Sequence, residues 1–508
     1  MSIQLKKILL TFIQKRLALF IFLFVYFLLT FYTYKDYGSS FDEFMVYTRG
    51  DYFYHKVVGN DPYLQKGFVV RDSDNYVLHY YNSTYPALLY ALNDSNSYDN
   101  YHLLNMIFSS FIFVGMYEIL LITYNKWQYA ILGPVFLFFM PRFLGHIPTN
   151  PKDIPFATVY ILSLLAILLR RSFSPFLRVL VLGLLIGLTA SLRFVGFSLV
   201  IVYFLYMFIE SFHEKHIFRR QWENALETCV VGILTFTVFM ASLPYIGADP
   251  FNHTIELMKV NTSYPWLGTI RLFGQSYSKD SFPPLYTLLW LFITTPISIL
   301  CLSAFGIIAS VSNKMNKLQL LLIISLSVQI IFYIVLKPFV YNGLRHYLFL
   351  LPQFALFAVI ALISFKEHVR LNMLIVVLLC IEAGIILITY FKLHPYEYTY
   401  FNPIVKMSYD VTRDFDFDYW ATSDRKSLEW LKSHQNKKNP KIFLCSTSPS
   451  LQIYYPEAIN VTDNILRAEY IVCNDNTMLD TIKGEIKYKT IYQIQKDGYI
   501  FNTILEVL

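Results

Sequence analysis

Along this chain the apolar residues neither alternate nor follow a single helical stripe; they gather into long blocks separated by polar turns. A helix needs about 20 apolar residues to cross the roughly 30 Å of hydrocarbon in a bilayer. Blocks of that kind run near Ile8–Phe31, Leu104–Thr123, Gln128–Met140, Ile154–Leu169, Leu177–Ala190, Phe194–Ile209, Leu226–Tyr245, Tyr286–Ser310, Leu318–Leu336, Leu344–Ile363 and Leu371–Phe391. They predict about eleven transmembrane helices, of which the third, fourth and fifth are short. After Phe391 the pattern changes. Ser423–His434 has helical periodicity, whereas Lys441–Cys445, Tyr470–Cys473, Ile486–Ile494 and Tyr499–Leu505 read as short strands. The expected fold class is a polytopic α-helical membrane protein, with a transmembrane region over 1–391 and a small extracytoplasmic α+β domain over 392–508.

Composition agrees and narrows the choice. Charged residues are 15% of the 508 and hydrophobic residues 55%, whereas a soluble chain carries about 25% charged. A soluble multidomain chain, a disordered chain and a collagen-like rod are excluded, and five Cys are too few for a disulfide scaffold. Cys445 and Cys473 both fall in the tail, where they form a disulfide or remain two free thiols. The net charge of +7 predicts no nucleic-acid partner, because the basic residues lie in alternate turns. These are Lys6, Lys7, Lys15 and Arg16, then Lys126, then Arg170, Arg171 and Arg178. Lys215, Arg219 and Arg220, Lys314 and Lys317, and Lys366 and Arg370 follow. The positive-inside rule puts them, and the N-terminus, in the cytoplasm. The loops over about 32–103 and 246–285 and the tail then lie outside.

A second set of basic residues goes against that rule. Arg142, Lys152, Arg193, Lys337 and Arg345 sit in or beside outside turns. Arg142, His146, Lys152 and Asp153 share the stretch PRFLGHIPTNPKDIPF, Pro141–Phe156. A capped, salt-bridged turn accounts for that stretch, and so does a rigid cationic seat for a phosphate. Arg193 either snorkels to the interface or is paired, since a charge left in hydrocarbon costs a few kcal/mol. Arg345 and His346 stand in KPFVYNGLRH, before the tenth block. One cause would serve them all: an anionic group, such as a lipid phosphate, held at the outer interface. Asp42 and Glu43 are adjacent in the first outside loop. They are either acidic residues favoured at a helix start or a coupled pair of which one is a base. There is no Walker loop, no GxGxxG opening a helix, no HExxH and no CxxC, and the histidines show no metal-ligand spacing.

In their order along the chain these stretches resemble a known family. The Asp42-Glu43 pair, RFxGHxxxNPKDxP at Arg142–Pro155, Gly187–Arg193, YNGLRHYLFLLP at Tyr341–Pro352, HPYEYTYFNP at His394–Pro403 and DYW at Asp418–Trp420 carry the resemblance. It is to the GT-C membrane glycosyltransferases, specifically the glycosyltransferase family 39-like group of protein O-mannosyltransferases and lipid A aminoarabinose transferases. It spans most of the membrane region and the start of the tail, and nothing beyond about residue 435.

What the resemblance implies is transfer of a sugar from a polyprenyl-phosphate donor to an acceptor hydroxyl on the outer face, usually with inversion. Asp42 would be the general base, and Glu43 would orient the acceptor or hold a cation. Arg142, Lys152, Arg193 and Arg345 would bind the donor phosphate. His146, Asn150, Asp153, Tyr341 and His346 would line the substrate site, and Trp266 would stack on a sugar or anchor at the interface. No cofactor is implied: a divalent cation, for which Asp42, Glu43 and Asp153 offer oxygens, is not favoured. The partners are the lipid-linked donor, membrane lipid and an acceptor that is a protein, lipid or glycan. The location implied is a bacterial plasma (inner) membrane. The alternative is a transporter or flippase of a lipid-linked or anionic substrate. It needs polar groups at mid-membrane depth, for which Glu118, Glu227 and Glu382 are the candidates. A non-catalytic relative is the other alternative.

Overall fold

The computed structural model describes residues 3–508 except 59–81, 83, 94–96, 213–216, 263–267, 313, 436, 438, 447 and 457–464. Among the described residues nine helices are long and apolar enough to span a membrane, beginning with Thr11–Thr33 and ending with Val369–Leu393. Two of the predicted blocks form shorter apolar helices instead, Trp127–Phe138 and Ile297–Ser312. The protein is thus a multi-pass helical membrane protein with a small sheet-containing region after the last span.

The eighth block shows why its helix is short. Thr295 precedes Pro296 and is extended (φ −97°, ψ 140°), as the ring of a following proline demands. The block therefore splits into Tyr286–Thr294 and Ile297–Ser312. The free N–H groups of the new helix start are taken by the Glu382 carboxylate, 2.8 Å from Ile297 N and 3.1 Å from Ser298 N. Further along, Gly306 lets this helix lie against Leu351–Ser364, where a Cβ would meet Phe357 O at 1.9 Å. Glu118 is held by Arg16 through two 2.6 Å hydrogen bonds, and Glu227 by Arg178 at 2.5 Å and by Tyr203. All three carboxylates that a transport path would need are committed to neighbouring helices.

The loop before the eighth block carries a short antiparallel pair, β1 (Ile270–Leu272) and β2 (Gln275–Tyr277). In the tail, β3 (Ile442–Leu444), β4 (Tyr470–Cys473), β5 (Tyr488–Lys496) and β6 (Tyr499–Val507) form one sheet in the order β3-β4-β6-β5. β3 and β4 are parallel; the other pairs are antiparallel. β5 and β6 join through Asp497-Gly498, both at positive φ, the backbone a tight hairpin turn requires. The amphipathic helix Asp424–His434 buries Leu428 and Leu431 with Ile442, Val472 and Ile504. Helix Asn476–Glu485 buries Leu479 and Ile482 with Ile471 and Leu505. The sheet is covered on both faces, and Cys445 and Cys473 are joined in a disulfide. Hydrogen bonds tie the tail to the segment between the first two long apolar helices and to the start of the second: Tyr454 Oη accepts from Ser39 N at 2.6 Å, and Arg425 donates to Tyr37 O and Asp99 at 2.7 Å.

Candidate active site

Segments far apart in sequence converge on Asp42. This residue stands in the first turn of helix Phe41–Val58. Its Oδ2 receives Arg345 Nη1 and, at 3.0 Å, Lys152 Nζ. Burial alone would raise the Asp42 pKa, but Arg345 and then Lys152 outweigh it and hold the carboxyl below its usual range. Arg345 is 2% exposed. Its guanidinium lies over Tyr341 at 4.7 Å and near the Trp420 ring at 5.7 Å. His346 meets Tyr341 edge-on at 5.1 Å.

Lys152 is aimed by its own turn. Asn150 Oδ1 accepts from Lys152 N at 3.3 Å and Asp153 N at 2.9 Å, an Asx turn that runs through Pro151. Asn150 Nδ2 donates to Asp153 Oδ2 at 2.9 Å. Asp153 opens its helix but turns its carboxylate to Asn150 and to Arg193, whose Nε and Nη2 both reach Oδ1. Of the two readings of Arg193, pairing is the one observed.

His146 is buried one turn before this loop. Its Nε2 lies 3.0 Å from Tyr419 Oη, and Trp420 packs edge-on at 4.8 Å. Burial, then Arg142 and Arg345, hold the His146 pKa well below its usual value, so the ring is neutral. Gly145 makes this contact with the tail possible, since a Cβ would meet Tyr398 N at 2.1 Å. Arg142 is buried behind His146. It donates to Tyr400 O at 3.0 and 3.3 Å and sits 5.0 Å from the Trp290 ring and 5.1 Å from Phe401.

The adjacent carboxylates part company. Glu43 is fully buried under its helix, accepting from Ser40 N at 2.6 Å and Tyr47 Oη at 3.1 Å. His102 Nε2 is 2.9 Å away, off the line of a hydrogen bond. Asp42, Glu43 and Asp153 therefore face three different partners, and among the described residues no three His, Cys, Asp or Glu are grouped as metal ligands. Trp266 lies outside the described residues.

In the sequence DYW stands out only as part of a resemblance, yet Tyr419 and Trp420 complete the cluster. Their flanks are held by buried carboxyls. Asp418 accepts from Tyr398 Oη and from Ser423 Oγ at 2.5 Å. Asp424 accepts from Asn502 Nδ2 and Ser446 Oγ at 2.9 Å. The available signal was the run DFDFDYW, Asp414–Trp420, in which acidic residues alternate with large aromatics.

Burial raises Asp418 to about 6, and burial with the nearby Asp418 charge raises Asp424 to about 7, from 3.8. A carboxyl raised on folding contributes stability that is fully present below about pH 4 and is lost as pH rises through its folded pKa. The unfolding temperature is thus expected to be several degrees higher at pH 5 than at pH 8. Asp424→Asn should raise it at pH 8 and flatten the profile. Parallel pH profiles for wild type and variant would refute this.

Fold and site define a polytopic helical membrane protein with a cluster of one ion-paired carboxylate, several cations and aromatic walls. No protein-family model matches the chain, and no curated protein matches it in sequence. Among solved structures it is similar to ArnT from Cupriavidus metallidurans bound to undecaprenyl phosphate, at 10% identity over 84% of this chain and 88% of that one, with a TM-score of 0.46. The same ArnT in the apo state gives 12% identity over 84% and 87%, TM-score 0.44. Arabinofuranosyltransferase AftD from Mycobacteria gives 11% identity over 84% of this chain and 35% of that one, TM-score 0.37.

Proposed function

We propose that the protein is a membrane glycosyltransferase that moves a sugar from a polyprenyl-phosphate donor to an acceptor hydroxyl at the outer face, with inversion. The observation that carries the reading is the meeting of Lys152 and Arg345 on one oxygen of Asp42. In the resting site those cations keep Asp42 ionised but weakly basic. A donor phosphate competes for the same two cations, Arg as a fork and Lys as a point charge. As they turn to the phosphate, Asp42 loses the charges that depress it and becomes a better base. It then takes the proton of the acceptor O–H while that oxygen attacks the anomeric carbon. The carbon–oxygen bond to phosphate breaks, and the polyprenyl phosphate leaves with the electron pair, held by Arg345 and Lys152.

The disulfide Cys445–Cys473 supports a tail in an oxidising compartment, and so the orientation read from the basic turns. The bacterial inner membrane is the proposed location. The test is donor turnover in proteoliposomes, with a panel of radiolabelled polyprenyl-phosphate sugars and a parallel EDTA arm. Consumption of a donor with release of polyprenyl phosphate is expected. Intact donors that merely change leaflet would replace the proposal with lipid translocation.

A further inference from the structure

The hydrogen-bond pattern around His146 fixes which way its neighbour Tyr419 points its proton. Asn150 Oδ1 accepts two backbone N–H groups, so its other amide atom, Nδ2, is the one 3.4 Å from His146 Nδ1. An amide nitrogen only donates. Nδ1 is therefore the unprotonated nitrogen of a neutral ring, and the proton sits on Nε2. Nε2 in turn lies 3.0 Å from Tyr419 Oη, so the imidazole donates and the phenol oxygen accepts. The phenolic proton is not spent on His146. Burial pushes the Tyr419 pKa up to about 12, with Arg142 and Arg345 pulling against it, so that proton is retained at neutral pH.

Two more donors stand beside it with no hydrogen-bond partner among the described residues: Trp420 Nε1 and Arg345 Nε. Trp420 is 1% exposed and Arg345 2%, and the guanidinium carbon lies 5.7 Å from the indole ring. Buried donors without acceptors are costly; an oxygen-rich anion would satisfy them. Tyr419, alone of the three, is half-buried and so within reach of an entering ligand.

The geometry points to Tyr419 as a ligand-contacting hydrogen-bond donor for the donor-lipid phosphate, with His146 and Asn150 as the positioning residues that aim its proton. This rests on the reading of the site as a polyprenyl-phosphate site. It gives the tail segment a chemical part in binding.

The test uses the purified full-length protein and calorimetric titration with farnesyl phosphate, a short polyprenyl phosphate without sugar, beside farnesol as its uncharged counterpart. Tyr419→Phe is expected to weaken farnesyl phosphate about tenfold or more, the effect of one hydrogen bond to a charged group, and to leave farnesol binding unchanged, while the unfolding temperature falls modestly because the buried His146 Nε2–H loses its acceptor. Equal weakening of both ligands would mark Tyr419 as structural and overturn the inference. So would a variant that binds farnesyl phosphate like wild type, although the function reading would survive. Wild type that fails to prefer farnesyl phosphate over farnesol would overturn the function reading and this inference with it.

Discussion

Asp42→Asn is expected to stop sugar transfer, with a loss of about 10²–10⁴-fold in kcat, the usual contribution of a general base. The change is nearly isosteric and the amide oxygen still accepts from Arg345 and Lys152, so the fold should be kept. What is lost is the proton acceptor. The two cations are also relieved of a counter-charge, so polyprenyl phosphate should bind the variant at least as tightly as it binds wild type. Fast transfer by Asp42→Asn would remove Asp42 from the mechanism. In wild type the acid limb of kcat/KM reports the free enzyme, where Arg345 and Lys152 depress Asp42. The acid limb of kcat reports the complex and should lie at higher pH.

Arg345→Met is expected to cost about 10²–10³-fold in kcat, the scale seen when one donor to a developing charge is removed. Methionine fills much of the same space but leaves Asp42 with Lys152 alone and the departing phosphate without its fork. Arg345→Lys restores a charge but neither the planar fork nor the stacking on Tyr341. It should therefore recover only part of the rate. If Arg345→Met and Arg345→Lys are equally active, charge at this position is irrelevant and the assignment fails.

Much of the framework was readable because hydrocarbon is an unforgiving solvent. All eleven apolar blocks became helices, and the reading erred where a local break such as Thr295-Pro296 shortened one. The tail strands were legible from their β-branched and aromatic residues. The charges of the site were legible for a related reason: an arginine or lysine at an outside turn of an apolar chain needs a partner. Which partner was not. Asp42–Arg345 and Asp153–Arg193 join residues far apart in sequence, and nothing local encodes them. Glu43 escaped because consecutive residues on a helix point about 100° apart, so an acidic pair need not share a site. Asp418–Trp420 escaped as a site because it follows the last span and has the composition of ordinary soluble chain.

Docking of the tail has a consequence for biogenesis. Ser423 and Asp424, which follow Trp420, are held by Asn502, while Phe501 stacks on Tyr396 at 4.6 Å. Both belong to β6, which the ribosome makes only after every apolar block has emerged. Translation and membrane insertion can thus deliver Asp42 and its cations long before the wall opposite them exists. A nascent chain arrested behind Leu393 would hold every apolar block yet lack Tyr419, Trp420 and the strand that holds their segment in place, so the cluster around Asp42 would be completed only by the last residues to be made.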